Sequence, residues 1–462
     1  MLNIVIMAAG KGTRMKSALP KVLHRLAHQG LLHHVLDTAL ALKADRIVTV
    51  TGHGAEAVEA AVKVSAPQVR FARQMPQLGT GHAVQQAVPE LDDGGVTLIL
   101  NGDTPLIQAG TAQALIEACG GTQLALLTIV MNSETEAAGL GRIVRNNVGI
   151  QAIVEHKDAS AEQRAIRETY TGVMAVPTSH LKRWLGQLKN DNAQKEYYLT
   201  DIVAMAVADG VTVVAAHPSS DTEVLGVNSP LQLADLERRY QRSRAVTLME
   251  AGVRLADPAR FDVRGHLECG LDVEIDVNCI FEGCVTLGDN VRIGPNCFIK
   301  NAHIGADTIV AAFTHIDGEK LGVKVGTDAR IGPFARLRPG ADLGDEVHIG
   351  NFVEVKNSTM AKGSKANHLA YLGDATVGER VNFGAGSITA NYDGANKHRT
   401  VIGADVHVGS NCVLVAPVSL GAGATIGGGS TITKDAPAAA LTVARGKQVT
   451  LSAWVRPAKK PS

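Results

Sequence analysis

Hydrophobic positions in the second half of the chain follow a period of six. Ile275, Phe281, Leu287, Ile293 and Ile299 stand six apart, as do Val325, Ile331, Leu337, Leu343, Ile349 and Val355. The rhythm returns in Ile402, Val408, Leu414, Leu420, Ile426 and Ile432, often with Gly one position on, as after Leu287, Ile331, Leu343 and Val408. An α-helix repeats at 3.6 and a strand at two, so neither explains the pattern. A parallel β-helix does: each hexapeptide supplies one short strand and one corner, with the aliphatic residue inward and small residues at the bend.

The first half is patterned differently. Apolar runs at Leu2–Met7, Arg46–Val50, Val96–Leu100 and Leu124–Val130 alternate with amphipathic stretches near His34–Lys43, from Ala55 and from Thr111. This alternation predicts a mostly parallel sheet covered by helices on both faces, with ligands beyond the C-terminal strand ends. After Val130 the pattern turns β-rich, with a hairpin opened by Gly139-Leu140-Gly141-Arg142 and closed by Ile153–Lys157. Ser229 then reads as a helix N-cap with Pro230 at the first helical position. The segment Leu231–Gly252 reads as one long helix carrying Leu233, Leu236 and Tyr240 on one face. The expected organisation is an α/β Rossmann-like domain over 1–230, a linker helix over 231–251 and a β-helix over 252–462.

Composition narrows the partners. The 462 residues carry 45 Lys+Arg against 45 Asp+Glu, so no overall field favours nucleic acid or an anionic membrane. No apolar run is long enough to span a bilayer, and Met1–Ile6 lacks a basic region ahead of its apolar residues, so a cytoplasmic protein with small-molecule partners is expected. The six cysteines form no C-x-x-C pair and read as reduced buried thiols.

The chemistry gathers in loops that follow apolar strands. Met7-Ala8-Ala9-Gly10-Lys11-Gly12-Thr13-Arg14-Met15 follows the first strand, where small residues let backbone N–H groups approach phosphate oxygens and Arg14 can neutralise a departing pyrophosphate. Met15 stands where a dinucleotide fingerprint needs its third Gly, and no Gly-Lys-Ser/Thr ends the loop as a Walker motif would. Followed by Leu19-Pro20-Lys21, the loop resembles that of sugar-1-phosphate nucleotidylyltransferases, in which it holds the nucleotide and the lysine contacts phosphate. By the same resemblance a second loop, Gln74 with Gln77-Leu78-Gly79-Thr80-Gly81-His82, would read a uracil edge, a job the amide suits as both donor and acceptor; read without it, the loop is as well a Gly-rich turn capping the next helix. In a third, Asn101-Gly102-Asp103-Thr104-Pro105, the carboxylate either ends a strand as a turn residue or supplies oxygen to Mg²⁺.

Where the six-residue rhythm breaks, inserted segments are expected to carry function: 355–372, containing His368, and 383–402, containing Asn391-Tyr392-Asp393-Gly394. His368 falls among Arg338, Lys356, Tyr371 and Asn382, a cationic and hydrogen-bonding set suited to a sugar phosphate. Together with Gly332-Pro333-Phe334-Ala335-Arg336-Leu337-Arg338-Pro339-Gly340, Gly350-Asn351-Phe352-Val353-Glu354 and the N-terminal loops, these motifs resemble the bacterial bifunctional N-acetylglucosamine-1-phosphate uridylyltransferase/glucosamine-1-phosphate N-acetyltransferases over almost the whole chain.

That resemblance implies a left-handed β-helix, homotrimers, and two active sites making UDP-N-acetylglucosamine for envelope polymers. By it, UTP and UDP-N-acetylglucosamine would meet Met7, Ala8, Ala9, Gly10, Lys21, Gln74, Gly79, Thr80, Asn101, Gly102, Asp103, Gly141, Glu155, Tyr170 and Asn228. Asp103 and Asn228 would hold Mg²⁺, with Arg14 and Lys21 catalytic. Glucosamine 1-phosphate would lie on Arg338, Lys356, Tyr371 and Asn382, with His368 as base and Glu354 and Asn391 orienting its surroundings. Acetyl-CoA would line Ala385, Asn391, Tyr392, Ser410, Gly428 and Arg445. Three departures from the family pattern stand out: Tyr170 where Asn is common, Ala390 for Cys and Gly428 for Ala. Two rival readings remain: a single-activity nucleotidylyltransferase with a silent β-helix, disfavoured by His368, Lys356 and Asn391–Gly394, and a non-catalytic sugar-nucleotide scaffold, disfavoured by Arg14, Lys21, Asp103 and Asn228 together.

Overall fold

The computed structural model describes residues 1–133 and 137–459. Of the C-terminal stretch Arg456-Pro457-Ala458-Lys459-Lys460, which reads as a solvated basic end, Lys460 lies outside the described residues. Two compact units emerge, Met1–Tyr240 and Gln241–Ser462.

The first unit is built on a nine-stranded sheet. Its main path runs Val213–Ala216, Leu124–Val130, Glu168–Pro177, Val96–Asn101, Leu2–Ala8, Arg46–Thr51, Arg70–Arg73. Leu2–Ala8 pairs in parallel with both neighbours, whereas Glu168–Pro177 runs antiparallel between Val96–Asn101 and Leu124–Val130. Alternation along the first strand explains the layers: Ile4, Ile6 and Ala8 belong to one core cluster with Leu32, Val35 and Leu36, while Val5 belongs to another with Val84, Trp184 and Val203. The expected hairpin forms between Arg142–Arg145 and Ile150–Val154. The first helix covers Leu31–Ala41 rather than 34–43, because Leu31, Leu32, Val35, Leu36 and Ala39 extend its buried stripe one turn earlier.

The helix Pro230–Glu250 starts where Ser229 accepts from Gln232 N–H at 3.2 Å. Its early residue Leu236 packs in the first unit's core with Met15, Leu26 and Val227. Later, Ala245 joins the core of the second unit, and Gln241 exchanges two hydrogen bonds with the Val263 backbone at 2.8 and 2.9 Å.

That second unit is a parallel β-helix. One eleven-stranded column runs from Arg254–Leu255 to Leu441–Thr442; a sixteen-stranded sheet starts at Phe261–Cys269 and forks after Phe298–Ile304 into two further columns. Residues at the six-residue positions, such as Ile299, Leu337, Val355 and Leu414, are buried in a single core. Strand backbones bond to the rungs above and below, which leaves corner carbonyls to be satisfied by small side chains. Cys279, Cys297 and Cys412 thiols donate to Gly294 O at 3.2 Å, Ala311 O at 3.3 Å and Gly427 O at 3.4 Å. Ser364 and Ser387 hydroxyls do the same for Gly378 O at 2.6 Å and Gly409 O at 2.8 Å. All six cysteines are free, although Cys284 is exposed and Cys269 half-buried rather than buried.

One expected insertion is absent. Val355 pairs directly with Leu372, and His368 ends the strand Lys365–His368 in register with Asn351, so 355–372 is an ordinary coil one residue short. A corner absorbs the missing residue because only strand positions must keep register. The other interruption is real. Thr389 pairs with Leu414, and residues 391–399 form a separate lobe carrying an antiparallel bridge between Tyr392 and Lys397.

Candidate active sites

The C-terminal ends of Leu2–Ala8 and Val96–Asn101 open onto a cavity of about 410 Å³. Met7, Ala8, Ala9, Gly10, Lys21, Gln74, Gly79, Thr80, Asn101 and Asp103 line it, together with Lys11, Gln77 and Glu196. The loop's shape depends on Gly12. With φ at +60°, a Cβ there would stand 2.7 Å from the Lys21 Cβ, so only glycine lets Lys21 fold over the loop. The Lys21 ammonium ion-pairs with Asp103 and donates to Asn228 Oδ1 at 3.1 Å. Two oxygens more than a hundred residues apart thus converge on one cation. Val227 N–H donates to Asp103 O at 2.9 Å, holding the two loops together. Arg14 stands exposed on the turn Thr13–Met15, outside the cavity lining.

Gln74 is buried, and its amide nitrogen donates to Gly79 O at 2.8 Å, while Gln77 donates to Ala9 O. These bonds tie the second loop to the first. The segment Glu196–Thr200, which had no pattern to single it out, braces the same loop: Tyr197 N–H donates to Leu78 O and Leu199 N–H to Thr80 Oγ1 at 3.0 Å.

Gly141, Glu155 and Tyr170 form a neighbouring group off the cavity wall. Tyr170 N–H donates to Gly141 O at 2.9 Å, and Glu155 accepts from the Thr200 hydroxyl at 3.0 Å. Burial, reinforced by Asp201, Asp158 and Glu196, pushes the Glu155 carboxyl above its ordinary value. Gly172 lies against Asn101, where a Cβ would meet the amide nitrogen at 2.0 Å. Tyr170 itself belongs to the core cluster of Ile143, Ile153 and Met174, and its hydroxyl has no hydrogen-bond partner among the described residues. Burial, with Glu155 nearby, raises its pKa well above the ordinary value. A buried unpaired hydroxyl costs about 1–3 kcal/mol. Tyr170→Phe is therefore expected to raise the urea midpoint, corresponding to about 1 kcal/mol of added stability. A lowered midpoint would mean that the hydroxyl has a partner in solution.

On the β-helix, Arg338, Glu354, Lys356 and Tyr371 fall on consecutive rungs of one column. Glu354 pairs in register with Arg336 and Tyr371, and accepts from Arg338 Nη1 at 2.8 Å. The Lys397 amine bonded to Lys356 holds the Lys356 ammonium below the usual lysine range, with burial and Arg338 adding to the effect. His368 and Tyr371 flank one corner of a coil, separated by Leu369 with φ of +49° and by Ala370. Asn382 stands on the next rung of His368's own column, opposite Lys365.

Glu354 and Asn391 make no bond to His368. Glu354 is engaged by arginines, and the Asn391 amide donates to the buried Asp374 at 2.5 Å, a carboxylate that also accepts from Asn357 at 2.5 Å. The ring's partner is Asn351, with His368 Nδ1 and Asn351 Oδ1 at 2.9 Å. In the sequence Asn351 stands inside Gly350-Asn351-Phe352-Val353-Glu354 with nothing local to single it out.

Ala385, Ser410 and Gly428 make a third group. Asn411 N–H donates to Ala385 O and Gly429 N–H to Ser410 O, each at 2.8 Å, so these residues follow one another along a single corner. Arg445 closes the series by donating to Gly428 O at 2.7 Å. Tyr392 is exposed on the lobe, its hydroxyl donating to Gly394 O at 2.6 Å. Asp393 accepts from Ala395 and Asn396 N–H groups and from His398, which depresses its carboxyl far below the ordinary range.

Residues 4–190 match the MobA-like NTP transferase domain and 399–434 the six-repeat bacterial transferase hexapeptide. Along its entire length the chain is 72% identical to the Bifunctional protein GlmU of Methylibium petroleiphilum, covering 100% of both. This chain belongs to the bifunctional GlmU family. The GlmU proteins of Polaromonas naphthalenivorans and Paracidovorax citrulli are 67% and 66% identical, over 100% of this chain and 98% and 99% of theirs. As a GlmU-family protein, it joins a nucleotidyltransferase unit to a left-handed hexapeptide β-helix. Among the described residues no helix is long and apolar enough to cross a membrane.

Proposed function

We propose that the chain acetylates glucosamine 1-phosphate with acetyl-CoA and then joins the N-acetylglucosamine 1-phosphate to UMP from UTP, releasing pyrophosphate. The observation that carries this reading is the coexistence, in a GlmU-family chain, of the Lys21–Asp103–Asn228 cluster in one unit and the Arg338–Glu354, Lys356 and His368 set in the other.

In the first unit, Gln74, Gly79 and Thr80 would hold the nucleoside, and the loop from Ala8 to Gly10 would approach the phosphates through its backbone. A sugar-phosphate oxygen attacks the α-phosphorus while Lys21 and Arg14 neutralise charge on the phosphates. Asp103 and Asn228 would hold Mg²⁺, which supplies neutralisation of phosphate charge when bound; their oxygens already converge on a cation, the Lys21 ammonium, and oxygen donors suit a hard ion. Gly141, Glu155 and Tyr170 form the proposed sugar end of the site.

In the second unit, Arg338 and Lys356, with Tyr371 and Asn382, would bind the sugar phosphate. Lys397 and Arg338 crowd Lys356 with like charge, and an anion bound among them would relieve that repulsion. His368 takes the proton as the substrate amine attacks the thioester. Ala385, Asn391, Tyr392, Ser410, Gly428 and Arg445 would line the coenzyme. Acetyl transfer needs a cleft that holds coenzyme and amine together, and packing three prisms about an axis creates such clefts, so the working form is proposed to be a homotrimer with the coenzyme between chains. The chain is read as a cytoplasmic enzyme of three parts: a uridylyltransferase domain over 1–230, a linker helix over 231–251 and an acetyltransferase domain over 252–462.

A paired assay on the purified chain tests the proposal. Pyrophosphate should be released from UTP with N-acetylglucosamine 1-phosphate, and free thiol from acetyl-CoA with glucosamine 1-phosphate. Pyrophosphate release without thiol release would leave only the nucleotidylyltransferase reading.

A further inference from the structure

A neutral imidazole serves as a base through its outer nitrogen only if the inner one keeps the proton. What sets that choice is the partner of the inner nitrogen. His368 is exposed at the end of Lys365–His368, and its Nδ1 faces Asn351 Oδ1 at 2.9 Å. The two residues are direct register partners on successive coils, and Asn351 O also accepts from Leu369 N–H at 3.1 Å. Asn351 therefore grips both the ring and the backbone of the corner beyond it. Stacking here is tight: a Cβ on the adjacent Gly350 would come within 1.9 Å of Asn367 O. Two carboxylates on neighbouring rungs are engaged elsewhere, Glu354 with Arg338 and Asp374 with Asn357 and Asn391. The ionisable groups of the same two strands, His348 and Lys365, pair with each other three residues before the Asn351–His368 pair.

We propose that Asn351 is a positioning residue for acetyl transfer: by accepting from Nδ1–H of His368, it fixes the tautomer that leaves Nε2 free to take a proton from the substrate amine. The proposal rests on His368 being the base. A carboxylate here would orient the ring equally well but would also stabilise the imidazolium; the uncharged amide orients it without that cost to basic function at lower pH.

The test measures acetyl transfer from pH 5.5 to 9 for the parent chain and three variants, with circular dichroism and thermal unfolding of each variant as the control for folding of the β-helix. Asn351→Leu, which cannot accept, is expected to lower kcat by about 100-fold with KM for glucosamine 1-phosphate changed less than about threefold. Asn351→Asp, which can only accept, should keep activity within about tenfold of the parent at high pH and move the acid limb of kcat/KM upward by about one pH unit. His368→Ala separates the two levels of the reading. If it retains acetyl transfer, His368 is not the base and Asn351 has nothing to position. If it is inactive while Asn351→Leu keeps the parent's kcat, or while Asn351→Asp loses activity with its acid limb unmoved, the positioning role alone is overturned.

Discussion

Asp103→Ala is expected to lower uridylyl transfer by about a thousandfold or more while leaving acetyl transfer within about twofold. The Asp103 carboxylate is largely buried, ion-paired to Lys21, and shares that ammonium with Asn228 Oδ1. Removing it takes away the negative charge paired with Lys21, and leaves a lysine that is only 13% exposed without its counter-ion. Phosphoryl transfer depends on placing and neutralising charge rather than on covalent chemistry, so this loss falls on the reaction itself. The residue lies in the first compact unit and the β-helix has its own continuous core, so acetyl transfer is the internal control. Loss of both activities in a protein that remains folded by circular dichroism would refute two independent sites.

His368→Ala should do the reverse, cutting acetyl transfer by about 10²–10⁴-fold with uridylyl transfer unchanged, because a positioned base contributes that much to proton transfer. The same variant tests the proposed trimer. Arg445 is exposed beside Gly428 at the last rungs, whereas His368 sits several coils earlier, so a coenzyme site between chains can draw the two residues from different copies. His368→Ala and Arg445→Ala chains, each nearly inactive alone, should regain a fraction of acetyl transfer when unfolded and refolded together. Verified mixed oligomers with no recovery would place both residues of each site on one chain.

Much of the fold was legible along the chain because its periodicities are local. A period of six can be buried only by coiling, so Ile299, Leu337, Val355 and Leu414 marked the β-helix and its core before any coordinate. Alternating apolar and amphipathic runs likewise implied the sheet, and loops after apolar strands located most of the cavity lining. Family resemblance, rather than spacing, supplied the roles proposed for Asn228, Glu155 and Arg445.

Contacts across coils and between distant loops were decided only by the tertiary structure. The coil containing His368 loses a residue at a corner, which looks like a broken rhythm in sequence but leaves the strand register intact. Asn351 and His368 become partners because one turn of the helix stacks them, a relation that no hexapeptide displays. Glu354 and Asn391 are spoken for by Arg338 and Asp374, so charge pairing and burial assign them partners that residue type alone left open. The convergence of Asp103 and Asn228 on Lys21 needs three loops at the strand ends brought together by the sheet. Sequence alone determined what must be buried and at what repeat; folding in three dimensions decided which polar groups meet, because hydrogen bonds depend on distances that the order of residues does not contain.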